Sequence, residues 1–315
     1  MNQPNKHHYL PIFYLQQRAG DDGRLFRYHR PHNPTVVSRH SPEYTGFENG
    51  LYTLHGVADA QVIETGFFSP VDNAAAPILK HLITHGPDNL SNKQRESWTR
   101  FIMSLPLRGP HSLSEFKSSY DQNVRENIEH LDGANYLATK QEGDPDSVYE
   151  YALQRAPNEL ANAHKELLPQ LIDNPFVGQL IVDMKWKVMN LSAASHTLLT
   201  GDRPYTRSHG LGDAACLLGV PLSPTQLFVA ANQLSLIRKL EAQSVNDTVR
   251  NANSLMVRLA VENVYGSTNS HLAFVEKRLR RPSDPVISGL IARSYPNCGA
   301  AISVRMRDNQ GEKVF

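Results

Sequence analysis

His7 and His8 stand side by side ahead of the apolar block Leu10-Pro11-Ile12-Phe13-Tyr14-Leu15, and near neutral pH an imidazole can act as acid, base, hydrogen-bond partner or metal ligand. The block behind them has the composition of a core-anchored segment, so both histidines are expected to be held rather than trailing in solvent. Gly201-Asp202-Arg203-Pro204 directly follows the apolar run ending at Thr200. A carboxylate at a strand end is a common place for a site, although the same four residues also suit a plain turn. Glu64 lies inside an apolar helical run with Val62, Ile63, Phe67 and Phe68, where burial demands an arginine or a metal. Arg108, between Leu107 and Gly109, is a candidate partner, and a structural Glu64–Arg108 ion pair is as well supported as a catalytic one.

These residues belong to no established catalytic signature. The chain lacks G-x-x-x-x-G-K-[ST], G-x-G-x-x-G after a strand, G-x-S-x-G and H-E-x-x-H. Its other histidines, among them His29, His32, His40 and His55, fall in polar, loop-like sequence and read as surface residues. Cys216 and Cys298 are its only cysteines, too far apart for a thiolate zinc motif or a disulfide framework, which favours a reducing cytoplasm. The first residues carry no apolar signal segment, and no stretch approaches the roughly 18 apolar residues of a membrane span. The expectation is therefore a cytoplasmic protein without a membrane partner. With 32 Lys and Arg against 31 Asp and Glu, the net charge of +1 provides no global field for nucleic acid, so any such contact would use a local patch.

The elements that must position these side chains can be read from periodicity. Residues 24 to 54 alternate aromatic and polar groups between Pro and Asn punctuation and predict a small antiparallel set of strands. From about residue 59 the period becomes helical. Ser91-Asn92-Lys93-Gln94 has the form of a capping box and opens a helix carrying Trp98, Phe101, Ile102 and Leu105, expected to stop before Pro106. Ser112-Leu113-Ser114-Glu115 repeats the device ahead of a long amphipathic helix, with Gly133 as its expected stop. Helical periodicity resumes from Leu160 to Met184. Strands are expected at 186–191, 196–200 and 226–230, with Pro221-Leu222-Ser223-Pro224 as a rigid entry to the last. A final helical stretch runs from Asn232 to Arg281, broken near Gly266. The class is α+β: a mostly helical middle with short antiparallel strands from both ends converging on one sheet. One domain over 1–293 and a tail over 294–315 are expected.

The ordered pieces resemble the bacterial family catalogued as domain of unknown function 4238. The resemblance rests on His8-Tyr9-Leu10-Pro11 with Phe13-Tyr14-Leu15, a Gly50-Leu51-Tyr52-Thr53 strand, Ile63-Glu64, Arg108 after a Trp and Phe helix, and Leu199 to Pro204. Pro221 to Pro224, a late helix with Asn251 and Asn253, and Val264-Tyr265 complete it, covering about residues 6 to 280. Gly201 stands where the family has Ser, so no hydroxyl role carries over. The family brings no established activity, but it selects among the polar residues and gives His8 more weight than His7.

On that selection, His8, Glu64, Arg108 and Asp202 are the expected catalytic set, with Tyr9, Arg203 and Asn253 as substrate-binding residues. Asp202, Glu64 and His8 would hold a divalent cation, Mg²⁺ or Mn²⁺, while the arginines neutralise a phosphate. The expected function is metal-assisted phosphodiester hydrolysis of the nuclease type. The alternative is a binding module in which the same residues form a structural polar network that orients the N-terminal segment.

Overall fold

The N-terminal block docks through its apolar face, and the Tyr14 hydroxyl and the Arg18 guanidinium take part in that docking. In the computed structural model, which describes residues 6–280, strand β1 (Lys6–His8) leads into the short helix α1 (Ile12–Gln16). Leu10, Tyr14 and Leu15 are fully buried. The Tyr14 hydroxyl donates to the Pro221 carbonyl at 2.7 Å, and Arg18 Nη2 donates to the same oxygen at 2.7 Å. Strands β2 (Leu25–His29) and β3 (Val36–His40) form an antiparallel hairpin that takes in His29 and His40, which are therefore strand residues rather than loop residues. A 3-10 turn, Pro42–Tyr44, precedes β4 (Phe47–Asn49), which pairs antiparallel with β1. Residues 50–53, expected as a strand, form a turn instead, closed by the Thr53 N–H donating to the Gly50 carbonyl at 3.0 Å, because β4 has already ended and Gly50 takes a positive φ of 68°.

The helical middle begins with one π-helical turn, Glu64–Phe68, running straight into α2 (Ser69–His85). Helix α3 (Asn92–Arg108) starts at the expected capping box: Ser91 Oγ accepts the Gln94 N–H at 3.3 Å and Gln94 Oε1 accepts the Ser91 N–H at 2.9 Å. It continues through Pro106 to Arg108, since a proline so near the C-terminus removes only a terminal hydrogen bond. Helix α4 (Pro110–Thr139) follows at once, with Pro110 at its first position and Ser112 already inside its first turn. It passes Gly133, which stays helical, and ends at Lys140. The shorter helices α5 (Val148–Arg155), α6 (Pro157–Glu166), α7 (Leu168–Ile172) and α8 (Pro175–Asp183) complete this part.

Strands then return: β5 (Lys185–Asn190), β6 (Thr200–Gly201), β7 (Thr206–Arg207), β8 (Leu217–Pro221) and β9 (Gln226–Ala231). Of the expected strand over 196–200, only Thr200 is paired. The expected final helical stretch divides into α9 (Leu234–Glu241), α10 (Val245–Leu259), strand β10 (Asn263–Gly266) and α11 (Leu272–Glu276). Gly266 thus closes a strand instead of breaking a helix. The end of that stretch and the expected tail lie outside the described residues.

The α+β class holds, but the strands form three sheets rather than one: β1–β4, β3–β2–β10–β6 and β5–β9–β8–β7. The second does join strands from both ends of the chain. The third stands apart because β9 is flanked by β5 and β8, and β8 by β7, which leaves no edge of either central strand for the hairpin. One core cluster includes residues from Tyr9 to Tyr265. Among the described residues no helix is long and apolar enough to cross a membrane.

Gly46 shows how closely the docked segment is held. It has φ 67°, its carbonyl accepts the Leu10 N–H at 3.0 Å, and an added Cβ would come within 3.0 Å of both Leu10 Cβ and Leu15 Cδ1. Gly46→Ala is therefore expected to lower the unfolding free energy by about 2 kcal/mol, read as a fall in the urea midpoint at unchanged slope.

Candidate functional site

The β1–β4 ribbon sends the two histidines to opposite faces, as strand alternation requires. His7 turns inward and is fully buried. Its Nδ1 accepts the Tyr52 N–H at 2.8 Å, so the ring proton sits on Nε2, which bonds Gln61 Oε1 at 2.6 Å. The ring also stacks on Tyr52, with centroids 5.5 Å apart. His7 is thus committed to structure. His8 turns outward, half-buried against Phe47, and its Nε2 is buried without a protein hydrogen-bond partner. Burial lowers its pKa, with Lys6 and Arg108 adding to the effect and a hydrogen bond to the Glu43 main chain and the charge of Asp72 opposing it.

Arg108 closes α3 with its guanidinium almost completely buried. Nη1 and Nη2 donate to Asp72 Oδ1 and Oδ2 at 2.5 and 2.7 Å, a bidentate pair. Nη2 also donates to the His8 carbonyl at 3.4 Å, the Phe68 ring lies 4.8 Å from the guanidinium carbon, and the Tyr52 hydroxyl donates to the Arg108 carbonyl at 2.6 Å. Burial alone would make the guanidinium easier to deprotonate, but the Asp72 carboxylate outweighs it and holds the charge firmly. The expected Glu64–Arg108 ion pair is therefore corrected: the partner of Arg108 is Asp72, whose place in the first turn of α2 lets both its oxygens meet both terminal nitrogens.

Glu64 opens the π-helical turn one step before α2 and stands near the pair without joining it. Its Oε2 is buried and has no protein partner. Burial, reinforced by Asp72 and opposed by Arg108, pushes its pKa up to about 7. Single π-helical turns inside helices are frequent at functional sites, because the wider turn re-aims the side chains around it. His8, Glu64 and Arg108 are thus brought together, with Asp72 as the member the sequence reading missed. Its only signal was a carboxylate next to the buried stripe of Val71, Ala75 and Ile78.

Asp202 does not join this cluster. Its Oδ1 accepts the Val261 N–H at 2.8 Å and its Oδ2 the Glu262 and Asn263 N–H groups at 2.7 and 2.9 Å, fastening the loop between α10 and β10. Burial raises its pKa while these three amides pull it down. With both oxygens engaged, the expected ligand set of Asp202, Glu64 and His8 does not fit a divalent cation. Among the described residues no group of three or more His, Cys, Asp or Glu side chains could hold one. Asn253 is likewise engaged, accepting the Leu199 N–H at 2.7 Å and donating to the Thr197 carbonyl at 2.9 Å.

A small cleft adjoins the cluster, one residue along the chain from both His8 and Arg108. Tyr9, Gly109, His111, Asp202, Arg203 and Glu262 line it. Two of the three expected substrate-binding residues, Tyr9 and Arg203, therefore lie together, and Asn253 lies apart. Arg203 Nη2 reaches Glu115 at 3.3 Å, and His111 pairs with Glu262 at 3.2 Å, an interaction that raises the histidine pKa and lowers that of the glutamate.

Compared with known families, residues 6–270 match the model described as protein of unknown function, DUF4238. The chain belongs to this family. No curated protein and no solved structure matches it. The DUF4238 match takes in the His8 cluster, the cleft and the loop that Asp202 fastens.

Two outcomes follow for this DUF4238 chain. Asp72→Ala would strand the buried Arg108 charge and is expected to cost about 3 kcal/mol of stability in urea unfolding, whereas Glu64→Gln, which breaks no ion pair, should cost far less. The raised pKa of Glu64 means that the folded state keeps a proton the unfolded chain has already lost. That contribution is fully present below the ordinary carboxylate range and is lost as pH rises through about 7. From about pH 5 to pH 8 the parent chain should therefore lose on the order of 2 kcal/mol relative to Glu64→Gln, measured by urea unfolding across that range.

Proposed function

We propose that this chain is a phosphodiester hydrolase of the nuclease class, acting on single-stranded RNA through His8, Glu64 and the Arg108–Asp72 pair. The observation that carries the reading is the pair of buried titratable atoms without a protein partner, His8 Nε2 and Glu64 Oε2, both in the field of Arg108 and Asp72. Buried polar atoms are nearly always paired, and perturbed acids and bases concentrate at functional sites. Near neutral pH His8 is a neutral base and Glu64, with a pKa of about 7, is partly a protonated acid.

Cleavage of RNA needs that combination and supplies its own nucleophile, the 2′-hydroxyl. As O2′ bonds to phosphorus, His8 Nε2 takes its proton; as the P–O5′ bond breaks, Glu64 gives its proton to O5′. The products are a 2′,3′-cyclic phosphate and a 5′-hydroxyl. Water then opens the cyclic ester by the reverse proton path. Arg108 is a positioning residue: it holds Asp72 and the His8 main chain, and its charge and that of Asp72 act on both the acid and the base.

A divalent cation, Mg²⁺ or Mn²⁺, would need ligands beyond His8, Glu64 and Asp202, and the cation-assisted route is one arm of the test. A cytoplasmic setting accompanies the reading, supported by Cys216, a buried free thiol. A binding module without activity is the second reading, favoured by Asp202 and Asn253, whose polar atoms are engaged by main-chain groups.

The test is incubation of the full chain with fluorescein-labelled single-stranded RNA in EDTA, followed by mass analysis of the fragment ends. Cyclic-phosphate ends are expected, with a bell-shaped pH profile whose alkaline limb lies near 7. His8→Ala and Glu64→Gln should each slow cleavage by about 100-fold or more while keeping a cooperative thermal transition. Intact RNA in EDTA overturns the acid–base reading; cleavage that then appears only with Mg²⁺ or Mn²⁺ supports the metal-assisted route, and RNA binding without cleavage supports the binding module.

A further inference from the structure

We infer that the outward face of the β1–β4 ribbon is a nucleotide-stacking subsite, with Tyr44 as the platform for one base and Lys6 as the contact for a neighbouring phosphate. The assignment rests on the RNA reading above. Strand alternation puts Lys6 and His8 on the face opposite His7, and the register Lys6↔Asn49, His8↔Phe47 puts Phe47 there with them. The 3-10 turn delivers Tyr44 to the same place: Lys6 Nζ lies 4.1 Å from the Tyr44 ring centroid and 4.8 Å from that of Phe47.

Tyr44 is 67% exposed, whereas Tyr9, Tyr14, Tyr28, Tyr52 and Tyr265 are core residues. A single exposed aromatic is ordinary on a protein surface. What distinguishes this one is its surroundings. The main chain of the next residue back, Glu43, lies against the His8 ring, and His8 packs on Phe47 with centroids 5.4 Å apart. One short turn therefore ties the exposed ring to the imidazole proposed as the base, with an ammonium beside both.

An aromatic face next to a cation is the recurring element of single-strand binding, because every base offers a π-face and every linkage a phosphate. Lys6 sits against the Tyr44 ring, and the tyrosine remains largely open to solvent for a base. The bland alternative is that Tyr44 and Phe47 serve only to hold Lys6 by cation–π attraction. On that alternative, truncating the ring changes stability and nothing else.

The experiment measures binding of 5′-fluorescein-labelled octauridylate by anisotropy to the full chain carrying Glu64→Gln, which separates affinity from cleavage. In that background Tyr44→Ala is expected to raise Kd about tenfold, Tyr44→Phe to restore it, and Lys6→Gln to weaken binding and reduce its salt dependence by about one counterion. With Glu64 intact, Tyr44→Ala should raise KM and leave kcat unchanged. Equal affinity in Tyr44→Ala, failure of Tyr44→Phe to restore it, or no binding at all overturns the subsite. Cleavage with Tyr44-independent binding ends the subsite and leaves the nuclease reading standing. Tyr44-dependent binding without cleavage by the parent chain does the reverse.

Discussion

The guanidinium of Arg108, placed almost wholly out of solvent at the end of α3, is the constraint around which the N-terminal half of the molecule is arranged. A buried cation left alone costs several kcal/mol, so its surroundings must supply a carboxylate, acceptors and a polarisable wall. Asp72 supplies the first from α2, the His8 carbonyl and Ser104 the second, and the Phe68 ring the third. Besides Ser104 on α3 itself, these partners come from β1 and from the helical run that ends in α2. One side chain thereby fixes where β1 lies relative to the α2–α3 pair, and it fixes where the His8 ring emerges.

The two histidines illustrate how strand alternation gives adjacent, identical side chains different surroundings. Their sequence neighbourhoods are nearly identical, yet alternation along β1 sends one into a saturated network with Tyr52 and Gln61 and the other to a half-buried face. The inward ring supports the outward one. Because His7 is tied at both ring nitrogens, the ribbon cannot slip by one residue without burying His8 in place of His7. Glu64 is set by a comparable device, since the π-helical turn presents it beside Asp72 without letting it take part in the ion pair. The result is one carboxylate paired with the guanidinium and a second that holds its proton near neutrality.

Asp202 solves a different problem. The loop after α10 aims three successive amides at one carboxylate, which accepts from all of them. Its neighbour Gly201 belongs to the same arrangement, because a Cβ there would meet Ala260 Cβ at 3.0 Å where β6 crosses the end of α10. This corner stands beside the His8 cluster through Tyr9 and Gly109, which line the cleft with Asp202.

The family resemblance selected His8, Glu64 and Arg108, whereas residue order and periodicity alone were enough for the α+β class, the anchored N-terminal block and the capping box at Ser91. Each of these last three depends on local spacing, which is visible in one dimension. Helix ends at Pro106 and Gly133 were not legible, because a terminal proline loses little and a buried glycine can stay helical when its neighbours pack. The partner of Arg108 was not legible either: Glu64 and Asp72 are equally plausible carboxylates along the chain, and only the wider π-helical turn before α2 decides which one meets the guanidinium. The roles of Asp202 and Asn253 depend on main-chain groups, whose orientation no side-chain pattern records. Proximity of His8, Glu64 and Arg108 therefore came from tertiary structure, because it is set by how separate segments satisfy one buried charge.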